Sequence, residues 1–251
     1  MDRYGLLLAT LIVAYLVSAL TSSSRVTQAL QVGFFVAITL LALRVSSLPR
    51  RTVVLARSVT VIGSVIVVAL VAASGNKEVR GAASIWTAAM LLLTAVLIVE
   101  RALGMDTVTI QTIYAALSAY LIIGLMFASI YGAIDGLTTT DFFANGQQAN
   151  IRTFQYFSFT TLTTLGYGDF TAVGNFGRAV AVLEALTGQI FLATLVARLV
   201  AAYRTPPRGA PPGGGPAGPA GEGEQSPDQQ ARAPAEGEAQ ARPGSREWQE
   251  P

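Results

Sequence analysis

The sequence predicts an all-α membrane protein: six transmembrane helices, with a short re-entrant helix and a glycine-bearing loop between the last two. Three observations carry this. Of 251 residues 52% are hydrophobic and only 13% charged. The apolar residues fall in uninterrupted runs near membrane-spanning length, whereas a soluble domain would break them with polar faces. Between the last two runs lies the polar stretch Thr163-Thr164-Leu165-Gly166-Tyr167-Gly168-Asp169.

Composition also excludes. There is no cysteine and no histidine, so disulfides, thiolate nucleophiles, His-ligated metals and imidazole bases are out of reach. No Walker-type loop or dinucleotide fingerprint occurs. The formal charge is +2, with basic residues spread by topology rather than gathered into a patch, so no nucleic acid is expected as partner.

The first apolar run, about Tyr4 to Leu20, ends in Thr21-Ser22-Ser23-Ser24-Arg25. It is long for a signal peptide, and a retained helix is the favoured reading. A second run, about Ala29 to Leu43, leads into Arg44, Arg50, Arg51 and Arg57, a cluster that belongs on the cytoplasmic side. The third run starts near Val53 or Ser58 and ends about Ala73, and Asn76 to Arg80 returns outside. A fourth, about Ala82 to Val99, closes on Glu100-Arg101 inside. The fifth, about Val108 to Ile134, opens onto a polar turret from Asp135 to Asn150, where Asn150 is an N-cap for a short helix from Ile151 to Thr163. The last run spans about Asn175 to Tyr203 and ends with Arg204 inside. This arrangement gives a four-helix N-terminal membrane domain (1–107), a second domain (108–204) and a tail (205–251).

In the tail, ten of the eleven prolines accompany many glycines and few aliphatic residues, so no core can form. A solvated, disordered cytoplasmic tail is the bland reading. A Pro-rich segment that binds an unidentified regulator is the sharper one.

The glycine-bearing stretch is a candidate ion filter. A cation crossing a membrane sheds water, and backbone carbonyls can replace that water if they all point to one axis. This needs positive φ, which costs nothing at Gly166 and Gly168 because they lack Cβ. The Thr164 hydroxyl would sit below the carbonyls of Thr164, Leu165, Gly166 and Tyr167. A surface turn is the ordinary meaning of Gly-Tyr-Gly-Asp, but no turn needs a membrane-length helix behind it.

These residues resemble the signature of tetrameric potassium channels, in which four Thr-Val-Gly-Tyr-Gly loops present carbonyl rings to dehydrated potassium. The resemblance covers roughly Asn150 to Arg204 and departs at Leu165, where the family usually has valine or isoleucine. It implies a homotetramer, one chain and three further copies, surrounded by membrane lipid. K+ would bind at Thr164, Leu165, Gly166 and Tyr167, with Gly168 completing the filter. K+ is then the permeant ion, with no cofactor and no enzyme activity. The family braces its filter with two aromatic donors at the positions of Tyr156 and Phe157. Tyr156 can reach Asp169; Phe157 cannot donate, which leaves Thr161 as the expected partner of the Tyr167 hydroxyl. The hydroxyls of Thr160, Thr161, Thr163 and Thr164 are expected to tie helix to filter.

In the last helix Gly188 matches the family's hinge glycine, while a membrane glycine equally serves close packing. Helical spacing puts Gln189, Leu192, Val196 and Val200 on one stripe, read as cavity and inner constriction. Glu184 lies about 140° away from Gln189 around the helix, off that stripe. An intramembrane carboxylate is costly, so Glu184 is expected behind the filter, bonded to threonine hydroxyls such as Thr160.

Six crossings resemble the voltage-gated plan, but Ala82 to Val99 holds no Lys or Arg. Weak voltage dependence follows, since each charge moved through 100 mV gains only about 2.3 kcal/mol. The expected function is passive, potassium-selective conduction across the cell membrane, with both termini cytoplasmic. A weakly selective cation channel and a potassium transporter subunit are the alternatives, although the halves show no matching inverted repeat.

Overall fold

The computed structural model describes residues 3–20, 25–45, 49–103 and 109–204. They form seven α-helices: α1 (Arg3–Leu20), α2 (Arg25–Val45), α3 (Arg50–Ser74), α4 (Lys77–Leu103), α5 (Ile110–Leu137), α6 (Ile151–Leu162) and α7 (Asn175–Arg204). A short 3-10 turn, Ala144–Gly146, lies between α5 and α6, and no strand occurs among the described residues. The tail beyond Arg204, and Val108 at the expected start of the fifth run, lie outside the described residues.

Local chemistry sets the boundaries. Pro49, extended at φ −61, precedes α3, where its missing N–H costs nothing. Gly75 ends α3 in the left-handed region at φ 62, its N–H returning to the Val71 carbonyl. Because Gly75 and Asn76 complete the reversal alone, residues 77–80, expected as loop, become the first turn of α4. Glu78 there faces the positive end of the helix dipole. Thr109 and Thr112 form a reciprocal capping box that starts α5.

Four helices are long and apolar enough to cross a membrane: Arg50–Ser74, Lys77–Ala102, Ile110–Leu137 and Asn175–Ala201. Shorter apolar stretches run through α1 (Tyr4–Leu20) and α2 (Leu30–Arg44). At 12 residues, α6 reaches only about 18 Å, well short of a hydrocarbon core of about 30 Å. The protein is therefore an all-α membrane protein.

The hub is α5, buried along much of its length from Thr112 to Gly136. It packs against α1, α4, α6 and α7, while α2 and α3 pack on α4. Leu7 and Leu11 seat α1 in the core. Polar groups between helices find each other, as burial without water requires. Thr39 and Thr94 hydroxyls meet at 2.9 Å, the Trp86 indole donates to Ser64 at 3.1 Å, and Ser18 donates to Gln155 at 2.7 Å. Along α3 and α7, by contrast, large apolar side chains such as Leu55, Ile62, Val182 and Leu186 face outward, where lipid or another chain must cover them.

Helices α4 and α5 cross closely at Gly81 and Gly136. A Cβ on Gly136 would lie 2.3 Å from the Gly81 Cα. Substitution Gly136→Val should separate the two helices and lower stability by about 1–3 kcal/mol, as overpacking does. The thermal unfolding midpoint of the detergent-solubilised protein measures this, and an unchanged midpoint would contradict the close approach.

Candidate functional site

Helix α6 begins with a complete cap. Asn150 Oδ1 accepts from the backbone N–H of Arg152 (3.0 Å) and Thr153 (3.2 Å), while Thr153 Oγ1 accepts from Asn150 N–H at 2.9 Å. The helix ends at Thr163 because the next residue leaves helical space.

Thr164, Gly166 and Gly168 have φ of 57, 52 and 80. Every second residue is thus left-handed. In a strand successive carbonyls point to opposite sides; reversing the sign of φ at alternate residues turns them toward the same side. The glycines accept this freely, whereas Thr164 carries a Cβ and is strained. Sequence reasoning had assigned positive φ to the glycines alone.

The strain is held by the preceding helix. Thr164 N–H donates to the Thr161 carbonyl at 2.9 Å and Gly166 N–H to the Thr160 carbonyl at 3.1 Å. Carbonyls, not hydroxyls, therefore bind Thr160 and Thr161 to the loop. The Thr160 hydroxyl donates to the Phe157 carbonyl at 3.0 Å and that of Thr163 to Phe159 at 2.7 Å, the usual local bonds of threonine in a helix. No bond joins Thr161 to Tyr167, whose side chain is 69% exposed, and Leu165 at 55% is likewise not packed by its own chain.

On the far side of the loop, Gln147 Nε2 donates to the Asp169 carbonyl at 2.5 Å. The Tyr156 side chain lies near the Asp169 carboxylate, and its ring meets Phe170 at 5.6 Å. The turret returns to the same place: Ala144 N–H donates to the Thr171 carbonyl and Val173 N–H to the Phe142 carbonyl, both at 3.0 Å. Phe142 packs edge-on against Phe154 and Phe157 and tilted against Tyr131, and Phe143 packs edge-on against Phe157. This clamp was missed, although two adjacent phenylalanines in a polar loop are a readable anchor signal.

Helix α7 contacts the loop from behind and below. Glu184 is fully buried, yet its partners are not threonines. Its carboxylate accepts from the Tyr131 hydroxyl of α5 at 2.5 Å and from the Ser158 hydroxyl of α6. Ser158 also lies 2.6 Å from the Gly124 carbonyl. The correction has a simple cause. Thr160 is two residues past Ser158, about 200° around α6, and so faces away from α7. The three hydrogen-bonding side chains join α5, α6 and α7 at one buried point.

Gly188 sits directly against the end of α6. A Cβ there would lie 2.3 Å from the Leu162 carbonyl oxygen, which also accepts from Tyr120 at 3.2 Å. Close packing thus accounts for the glycine. Gln189 Nε2 donates to Thr164 Oγ1 at 3.2 Å. Leu192, Val196 and Val200 continue exposed along α7.

Two substitutions check this geometry. Glu184→Gln leaves an amide that can accept at only one atom, and should lower unfolding stability by about 1–3 kcal/mol, read by thermal denaturation. Gly188→Ala should displace the end of α6 and reduce folded protein. Normal assembly with unchanged open probability would show that neither packing nor bending depends on this position.

The family model described as ion channel matches residues 115–205, the stretch from α5 to the end of α7. Among curated proteins nothing matches the chain. The matched stretch contains the cap, the loop of alternating φ and all the α7 contacts just described. Over residues 115–205 the chain is thus similar to an ion channel family.

Proposed function

We propose that this chain forms a potassium-selective channel, conducting K+ passively as a homotetramer, with α6 as pore helix and residues 164–168 as filter. The observation that carries the proposal is the alternation of left-handed φ at Thr164, Gly166 and Gly168. One loop supplies one wall. Four copies of it around an axis give rings of carbonyls from Thr164, Leu165, Gly166 and Tyr167, which take the place of the hydration shell. The exposed filter side chains and the outward apolar faces of α7 supply the surface that assembly would cover.

The dipole of each α6 also places about half a negative charge at its C-terminal end, and four such ends favour a cation below the filter. The proposed topology has six crossings, counting α1 and α2, with both termini cytoplasmic in the cell membrane. It follows from Arg44 at the end of α2 and Arg50, Arg51 and Arg57 in the first part of α3. With no basic residue between Ala82 and Val99, the channel is only weakly voltage-dependent. The tail extends into the cytoplasm, where an unidentified regulator is its proposed partner. No cofactor takes part.

Potassium efflux from proteoliposomes, compared with sodium and blocked by barium, tests the proposal. The expected result is K+ flux well above Na+ flux, with shallow dependence on membrane potential. Equal fluxes would indicate a weakly selective cation channel, and no flux under any stimulus would overturn the proposal. Gly166→Ala should abolish selective flux. Holding alanine left-handed costs about 1–2 kcal/mol per residue, hence about 4–8 kcal/mol over four subunits.

A further inference from the structure

Gln189 follows Gly188 on α7, and its contact with Thr164 can be given a direction. Thr164 has one hydroxyl hydrogen, which is donated to the Thr163 carbonyl at 2.7 Å. Its Oγ1 can therefore only accept from Gln189, which fixes the amide nitrogen at the 3.2 Å contact. An amide oxygen in that place would set lone pairs against lone pairs. The Thr164 hydroxyl is thereby locked in one rotation with a lone pair still unused. Gln189 Oε1 takes no partner among the described residues, and the side chain is exposed. The backbone beneath it has little room to move, being seated through Gly188 on the Leu162 carbonyl and through Glu184 on Ser158 and Tyr131.

We infer that Gln189 is a specificity-determining residue at the inner mouth of the filter. In the assembled channel each Gln189 holds one Thr164 hydroxyl with its oxygen toward the ion. Its own amide oxygen adds to a fourfold ring that receives a partly hydrated monovalent cation. The ring is neutral. Amide dipoles attract a monovalent ion without the tight hold that four carboxylates would exert on a divalent one. The inference rests on the channel reading above, and it extends that reading from the backbone of the filter to a side chain of another helix.

Single-channel recording of the reconstituted full chain, with barium applied from the cytoplasmic side, tests it. Gln189→Leu keeps most of the volume but removes donor and acceptor. The expected result is K+ conductance and internal barium affinity both lower by about tenfold, the factor for one lost hydrogen-bond-sized contact per rate-limiting ion. K+ over Na+ preference should fall with them. Gln189→Glu should act in the opposite direction on barium, strengthening internal block, because the ring then carries charge; a residue that only packs would not produce this reversal. If the unaltered channel conducts K+ while both variants keep conductance, selectivity and barium block within twofold, the inference is overturned and the channel reading stands. If the unaltered protein passes no cation, both fall. If Gln189→Leu fails to assemble, the barium response of Gln189→Glu decides alone.

Discussion

A stretch of backbone that is neither helix nor sheet, set among membrane-length helices, has to be held by protein, because no solvent is there to satisfy it. That constraint organises the second half of the chain. The loop from Thr164 to Gly168 has alternating left-handed residues, one of them a threonine that resists the conformation. Around it stand four independent supports: two carbonyls of α6, the Gln147 amide, the returning turret, and the α7 contacts. They come from α6, α7 and the turret, so no single helix fixes the loop.

Much of this was legible in the sequence, and the limits of legibility have physical causes. Glycines announce positive φ because only they take it without penalty, so residues 166 and 168 could be read directly. Thr164 could not. Its left-handed backbone is imposed by bonds from Thr160 and Thr161 that depend on where α6 stops. Likewise, helical angles placed Glu184 off the stripe of Gln189, which is a property of one helix. Its partners, Ser158 and Tyr131, depend on how three helices pack, which periodicity does not encode. The threonine-rich end of α6 suggested hydroxyl ties, whereas threonine in a helix prefers the carbonyl four residues back. Helix starts were misjudged where a polar segment proved able to continue a helix, as at Lys77 to Arg80.

The N-terminal helices form a buttress for the second half of the chain. α5 has one face on α4 and another on α6, with α1 in contact with both α5 and α6. The Ser18–Gln155 bond and the edge-on contact of Tyr15 with Phe159 at 5.1 Å carry that support directly to α6. An ion pair joins Lys77 and Asp135 at 3.5 Å, at the end where α4 meets α5. Cohesion elsewhere comes from packing and from hydroxyl pairs such as Thr39 with Thr94. Such bonds are short-ranged and favour one fixed register over a sliding one.

The missing side chain at position 188 brings two backbones into contact with nothing compressible between them. Side chains can swing and absorb a displacement; a Cα pressed on a carbonyl oxygen cannot. Any tilt of α7 at that level must therefore be passed, undamped, to the last turn of α6 and the loop that hangs from it. In a protein built this way α6 and α7 share one rigid joint, and slack between them would have to be created elsewhere along α7.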